Sequence, residues 1–321
     1  MNKTTVLCVG ELLIDMFCTD KDIALKDGES FKKLPGGAPA NVAVTITKLG
    51  GESALIGKVG NDSFGDFLIE TLQNYNVDTS LVSRDEYAST TIAFVSLTAF
   101  GERDFQFNQG ADKNLRLEDV HTDLDKIKIV HLGSATALLD GDLNTTYFEL
   151  LKIAYTKKKF ISFDPNFRED LWKNHKELFI QRAKSIIYYS NLVKVSEEEL
   201  KLLTGQEEIV EGAEVLHKYG GKIVLVTLGK KGSFLSMNGK SEFIPSKDID
   251  VIDSTGAGDA FIGAIIYKLS KIIEEKENIG QLDFNYFKDI VLFANNVGAE
   301  VCTKMGALTA IPELETVELK K

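Results

Sequence analysis

Residues Asp253-Ser254-Thr255-Gly256-Ala257-Gly258-Asp259 run directly into Ala260-Phe261-Ile262-Gly263-Ala264-Ile265-Ile266. Small residues immediately before a helical run let main-chain N–H groups crowd around an anion, and the positive end of the helix dipole faces the same point. The spacing predicts an anion nest over Gly256, Ala257 and Gly258, with the amides of Ala257, Gly258 and Asp259 as donors. Asp259 sits awkwardly there, because a first-turn carboxylate competes with a bound anion. The conflict disappears if Asp259 takes the proton of a hydroxyl attacking phosphorus, which in a loose transition state needs only positioning and late deprotonation. A helix-capping acid is the plain alternative for an isolated Gly-x-Gly-Asp. The flanking Asp253, Thr255 and Gly256 favour the catalytic reading.

Outward from this stretch, short β-branched runs alternate with amphipathic ones. Val6–Val9, Ala54–Val59, Ile127–Leu132, Phe160–Asp164, Leu192–Val195 and Ile223–Leu228 read as buried parallel strands. Helical periodicity covers 66–75, 142–157, 177–185, 209–219, 260–273 and 284–301. The alternation predicts an α/β fold, a doubly wound, mostly parallel sheet with helices on both faces. Phe17–Leu34 and Thr90–Phe107 break the rhythm, the latter as a hairpin turning at Gly101-Glu102. These predict a small β-lid of about 12–35 and 89–110 on a single domain spanning 1–321. Phe94, Phe105 and Phe107 on lid strands either touch a ligand or form a lid-to-lid seam; an aromatic face on a small exposed sheet predicts a homodimer through the lid.

The second glycine-rich stretch is Pro35-Gly36-Gly37-Ala38-Pro39-Ala40-Asn41, leading into a helix stopped by Gly50-Gly51. Pro39 suits a first helical position and Gly50 a C-terminal cap. Paired glycines permit close backbone approach to a ligand, Asn41 presents both amide groups one turn in, and Asp15, after the first strand, can accept from two adjacent hydroxyls. Each alone is more often a turn or cap residue; together they suit a polyol.

Composition narrows the partners. The 321 residues are 44% hydrophobic and 26% charged, with 48 acidic against 37 basic side chains and a formal charge of −11. That acidity argues against nucleic acid or an anionic membrane surface as partner. No uncharged apolar run approaches the roughly 20 residues that span a bilayer. Glu11 and Asp15 interrupt the early apolar stretch, so no signal peptide is read, and a cytoplasmic protein is expected. Cys8, Cys18 and Cys302 imply no disulfide framework, and the four histidines lack ligand spacing. There is no Gly-x-x-x-x-Gly-Lys-Ser/Thr string, and no Gly-x-Gly-x-x-Gly after the first strand, which argues against a dinucleotide-dependent oxidoreductase.

Gly36-Gly37-Ala38-Pro39-Ala40-Asn41, Gly57-Lys58-Val59-Gly60-Asn61-Asp62-Ser63-Phe64-Gly65 and Asp253–Asp259 resemble, in order and over nearly the whole chain, the ribokinase/PfkB family of carbohydrate kinases. Gly10–Asp15, Phe163–Glu169 and Val193–Glu199 are most similar to its fructokinases. The resemblance implies a ribokinase-like fold and an ATP- and Mg²⁺-dependent transfer to the primary hydroxyl of a hexose, most simply D-fructose to fructose 6-phosphate. The alternative is a 2-keto-3-deoxygluconate kinase or another sugar or nucleoside kinase of the family. It implies Asp259 as base, Gly256–Asp259 as anion hole, and Asp15, Gly36, Gly37 and Asn41 as sugar contacts, with Phe105 and Phe107 from the lid. Nucleotide-site positions are Lys194, Ser196, Glu199, Thr227, Gly229, Gly232 and Asn295, Glu199 also organising Mg²⁺ indirectly. A K⁺ loop would use Asp253, Thr255 and carbonyls around Val301, Lys304 and Gly306. Gln109 stands where many fructokinases, and also the 2-keto-3-deoxygluconate kinases, carry arginine, and the loss of that arginine disfavours a sugar acid. Arg168 could hold such an acid or steady the γ-phosphate.

Overall fold

The computed structural model describes residues 5–20, 22–97, 103–121, 124–275 and 282–318. Its strands are β1 (Val6–Val9), β2 (Leu13–Cys18), β3 (Phe31–Gly36), β4 (Ser53–Gly60), β5 (Val82–Asp85), β6 (Ile92–Leu97) and β7 (Arg103–Asn108). They continue with β8 (Ile129–Leu132), β9 (Phe160–Phe163), β10 (Leu192–Ser196), β11 (Ile223–Thr227), β12 (Ser233–Met237) and β13 (Lys240–Ile244). The helices are α1 (Ala38–Lys48), α2 (Ser63–Asn74), α3 (Asp142–Thr156), α4 (Glu169–Trp172), α5 (Lys176–Ile187), α6 (Glu197–Thr204), α7 (Ile209–Lys218), α8 (Ala257–Glu274), α9 (Phe284–Val301) and α10 (Leu314–Glu318).

The large sheet has the order β13-β12-β11-β10-β9-β8-β1-β4-β5 and is parallel from β11 to β5. All six strands read from the sequence lie in it, their ends moved by a residue or two. The antiparallel edge hairpin β12–β13 is an addition to that reading. Asn238-Gly239 closes it with φ of 52° and 73°, the left-handed pair that a tight two-residue turn demands. Strand alternation feeds two cores. Val6, Cys8 and Leu225 pack toward α1, α8 and α9, while Leu7, Val9, Val224 and Val226 pack toward α3, α5 and α7.

The second sheet, order β3-β2-β6-β7, is the lid, and it carries the expected antiparallel pair β6–β7; the turn at Gly101-Glu102 lies outside the described residues. Register divides its faces. Met16 opposes Lys33 and Phe94, and Phe94 opposes Gln106. This face meets α2, where the Lys33 ammonium lies 3.6 Å from the Phe67 ring centroid. Asp15 opposes Leu34 and Ala93, Ala93 opposes Phe107, and Val95 opposes Phe105, so Phe105 and Phe107 share the face of Asp15 and Phe94 does not.

Asp62 fastens lid to body. One carboxylate oxygen caps α2 by accepting from the amides of Phe64 (3.1 Å) and Gly65 (2.8 Å) and also from the Thr90 hydroxyl (2.7 Å); the other accepts the Thr90 amide at 2.8 Å. Losing a helix cap costs about 1 kcal/mol, and losing acceptors for buried donors costs about 1–3 kcal/mol more. Asp62→Ala should therefore lower the urea midpoint by an amount matching about 2–4 kcal/mol, with an unchanged m value. A midpoint equal to the parent's would refute the clamp.

Candidate active site

The chain order reverses between β1 and β8, and loops at the C-terminal ends of these and the neighbouring strands surround the crevice there. The first turn of α1 enters it. Gly37 precedes that helix with φ 111°, and a side chain there would put its Cβ 2.5 Å from the Glu11 carbonyl oxygen, so glycine is required. One turn on, Asn41 Nδ2 donates to Asp259 Oδ2 at 2.8 Å, joining the starts of α1 and α8. Asn41 Oδ1 is buried and has no donor among the described residues. Such an orphan acceptor calls for a ligand hydroxyl.

Asp259 is 8% exposed, and burial pushes its carboxyl above the usual range; the Asn41 bond, the charges of Lys194 and Arg168, and a side-chain bond from Asn166 pull it part of the way back. Gly256 caps α8 with φ 78°, its place against Ala307 leaving no room for a Cβ. The Ala257 amide donates to the Ser254 carbonyl at 3.2 Å, so this expected nest donor closes the turn instead. First-turn amides have no intrahelical acceptor, which leaves those of Gly258 and Asp259 to face an anion. Lys194 Nζ approaches the same point, 3.1 Å from where a Cβ on Gly258 would lie.

Lys194 also pairs with Asp164 at 2.8 Å, the side chains 9% and 1% exposed. Burial disfavours the ammonium, but Asp164, Glu199 and Asp259 outweigh it and keep Lys194 protonated; burial also pushes Asp164 upward. Glu199 takes a main-chain amide on each oxygen, from Phe167 and Ser196, both at 2.7 Å, while Ser196 Oγ accepts the Glu199 amide at 3.1 Å. This box caps α6. Among the described residues no cluster of three or more His, Cys, Asp or Glu side chains could cage a metal. Glu199, with both oxygens on main-chain amides, would hold a hard cation only indirectly.

On the lid, removal from water pushes Asp15 up to about 6, with Arg168 lowering and Asp259 raising it. Gly36 lies tight against this carboxylate, where a Cβ would be 2.2 Å from Oδ2. Phe105 and Phe107 stack at 6.1 Å, both half-buried. Gln109 donates to Asp112 at 3.3 Å, and Asp112 also accepts from the Thr136 hydroxyl at 2.8 Å. Arg168 is exposed at the start of α4, its guanidinium donating to the Phe167 carbonyl, and its charge acts on Asp15, Asp164 and Asp259 together.

Other expected positions fall into two groups. Asp253 accepts the Thr255 amide and hydroxyl on Oδ1 and the Gly306 amide on Oδ2, and the Val301 carbonyl accepts the Lys304 amide, so the two loops close on each other by hydrogen bonds. In the turn after β11, Gly232 has its would-be Cβ 2.2 Å from the Ile244 carbonyl, Gly229 borders open space, and Thr227 leans on the Val195 carbonyl. Asn295 donates its amide nitrogen to the carbonyls of Ile244 and Pro245, tying α9 to the end of β13. The sequence reading gave no role to Asp164 or Asn166. Their place just beyond β9, on the edge where open sheets bind ligands, was the available signal.

Residues 3–314 match the pfkB family carbohydrate kinase description. Fructokinase-1 of Zea mays is 37% identical over 322 residues, 99% of this chain and 98% of that protein. A crystal structure of fructokinase from Vibrio cholerae O395 with fructose, ADP and calcium bound superposes with a TM-score of 0.85 at 32% identity, covering 99% and 98% of the two chains. An uncharacterized sugar kinase from Pyrococcus horikoshii in complex with ATP gives 0.83 at 36% identity, covering 97% and 96%. A family match over almost the full length, on a chain whose helix-bound carboxylate adjoins an amide nest, leads to one conclusion: this protein belongs to the pfkB family of carbohydrate kinases.

Proposed function

We propose that the protein transfers the γ-phosphoryl group of ATP to the 6-hydroxyl of D-fructose, giving fructose 6-phosphate and ADP. The observation that carries this reading is the 2.8 Å Asn41–Asp259 bond beside the start of α8, with Asn41 Oδ1 left open for a hydroxyl. The relative from Vibrio cholerae, which holds fructose and ADP, supports the choice of sugar.

In the reaction, Asp15 accepts from sugar hydroxyls and Asn41 holds the attacking alcohol against Asp259. As the new P–O bond forms and the bond to ADP breaks, the alcohol proton passes to the Asp259 carboxylate, which its buried setting makes a stronger acceptor than an ordinary one. Lys194 and the amides of Gly258 and Asp259 stabilise charge on the transferring group. Glu199 would hold Mg²⁺ indirectly, and the ion would supply further charge neutralisation. Lid closure excludes water as a rival acceptor.

The buried Asp112 beside Gln109 opposes a substrate carboxylate, which favours a neutral sugar over 2-keto-3-deoxygluconate. The loops at Asp253 and Gly306 support a K⁺ site behind the nest, and Val95 and Phe105, on the face of Asp15, support lid-to-lid dimerisation. No helix among the described residues is long and apolar enough to cross a membrane, and we assign the reaction to the cytoplasm.

Asp259→Asn should keep the parent's melting temperature and lose about 10²–10⁴ in kcat with fructose, ATP and Mg²⁺. Near-parental turnover would remove the base. Running the parent on fructose and 2-keto-3-deoxygluconate, in K⁺ and in Na⁺ salts, tests the sugar and cation assignments, which fail if the acid is preferred or the salts are equivalent.

Asp15 binds the sugar in its ionised form. With a folded pKa near 6, kcat/KM for fructose should fall about tenfold per unit below that pH, and Asp15→Asn should remove the Asp15 part of this limb, leaving that of Asp259. Because the folded value lies above the unfolded one, the same group favours the folded state most below the ordinary carboxylate range, and that contribution is lost as pH rises through about 6. A flat profile from pH 5 to 7 would exclude Asp15. Sedimentation equilibrium should give a dimer that Phe105→Asp dissociates; a monomeric parent would exclude the lid seam.

A further inference from the structure

Glu11 takes no part in the chemistry just described, yet it is 1% exposed and its carboxylate is fully engaged. Oε1 accepts the Ala38 amide at 3.1 Å and the Ala135 amide at 3.3 Å, while Oε2 accepts the Ser134 hydroxyl. These donors come from two loops, the start of α1 and the segment after β8, which meet at the end of β1 where the sheet order reverses. A buried acid holding loops together at that point has a specific mechanical effect on whatever those loops carry.

Helix α1 has no cap of its own. Its N-cap is Gly37, with no side-chain bond to give, and there is no acid in its first turn. The closeness of the Glu11 carbonyl to Gly37 forbids any capping side chain at that position. Glu11 supplies the missing acceptor from the connection between β1 and β2. Ala38, which it binds, and Asn41, which binds Asp259, belong to the same helical turn, so the two contacts move together.

We propose that Glu11 is a positioning residue for phosphoryl transfer, setting the first turn of α1 so that Asn41 meets Asp259 at hydrogen-bond distance. The role rests on the reading of Asp259 as base. It is specific to the carboxylate. In Glu11→Gln the amide oxygen can still serve Ala38 and Ala135, but the amide nitrogen then faces Ser134 Oγ, whose lone pairs already take the amides of Thr136 (3.2 Å) and Ala137 (2.9 Å).

The test uses the full chain, with Glu11→Gln and Glu11→Asp, the latter charged but a methylene too short, so that it stands even if Glu11→Ala fails to fold. Each variant should lose about 10- to 100-fold in kcat, with the KM for ATP held within about twofold. Hydrogen exchange should accelerate across residues 38–41. The double variant Glu11→Gln/Asn41→Ala should be no slower than Asn41→Ala alone, because both act through one contact. Parental kcat in both variants, or multiplicative losses in the double, would overturn the proposal. Exchange is read without substrate, so unchanged protection at 38–41 overturns the link to α1 whatever the sugar. A parent enzyme inactive on every sugar would instead defeat the reaction assigned above.

Discussion

A buried ammonium organises the catalytic end of this molecule. Lys194 lies under the anion nest with Asp164 at 2.8 Å and with Glu199 and Asp259 close enough to hold its proton. Stripping that many charges of water costs several kcal/mol per ion unless each finds partners. The fold meets the demand with main-chain dipoles. Glu199 takes amides from Ser196 and Phe167, Glu11 takes the Ala38 amide at the start of α1 and the Ala135 amide after β8, and Asp259 sits in the first turn of α8. Parallel strands feeding helices bring these N-termini to one edge, and the same positive ends that steady the acids can receive a phosphate.

Much of this was legible in local chemistry. Gly256 and Gly37 need backbone angles or clearances that other residues cannot supply, and both stood out as punctuation before helical periodicity. The parallel core followed from β-branched runs of strand length. The edge hairpin was readable too, since Asn238-Gly239 is a strong turn signal between short alternating runs. What stayed hidden depends on sequence-distant partners. Asn41 meets Asp259 across 218 positions and Glu11 meets Ser134 across 123. No periodicity encodes such pairs. Asn295, expected at the nucleotide, has a backbone contact that sequence does not announce: its amide nitrogen holds the end of β13. Gln109, expected to face substrate, is likewise held by Asp112.

Asp15 belongs to the small sheet, not to the body. Strand β2 pairs in parallel with β6 and antiparallel with β3, so its carboxylate is carried by a four-stranded plate assembled from separate stretches of chain. Asp259, the proposed proton acceptor, is anchored on α8. In the proposed reaction an alcohol would have to engage both elements at once, which water is too small to do. Under the proposed reaction, discrimination against futile ATP hydrolysis would be a geometric property of which sheet carries the carboxylate.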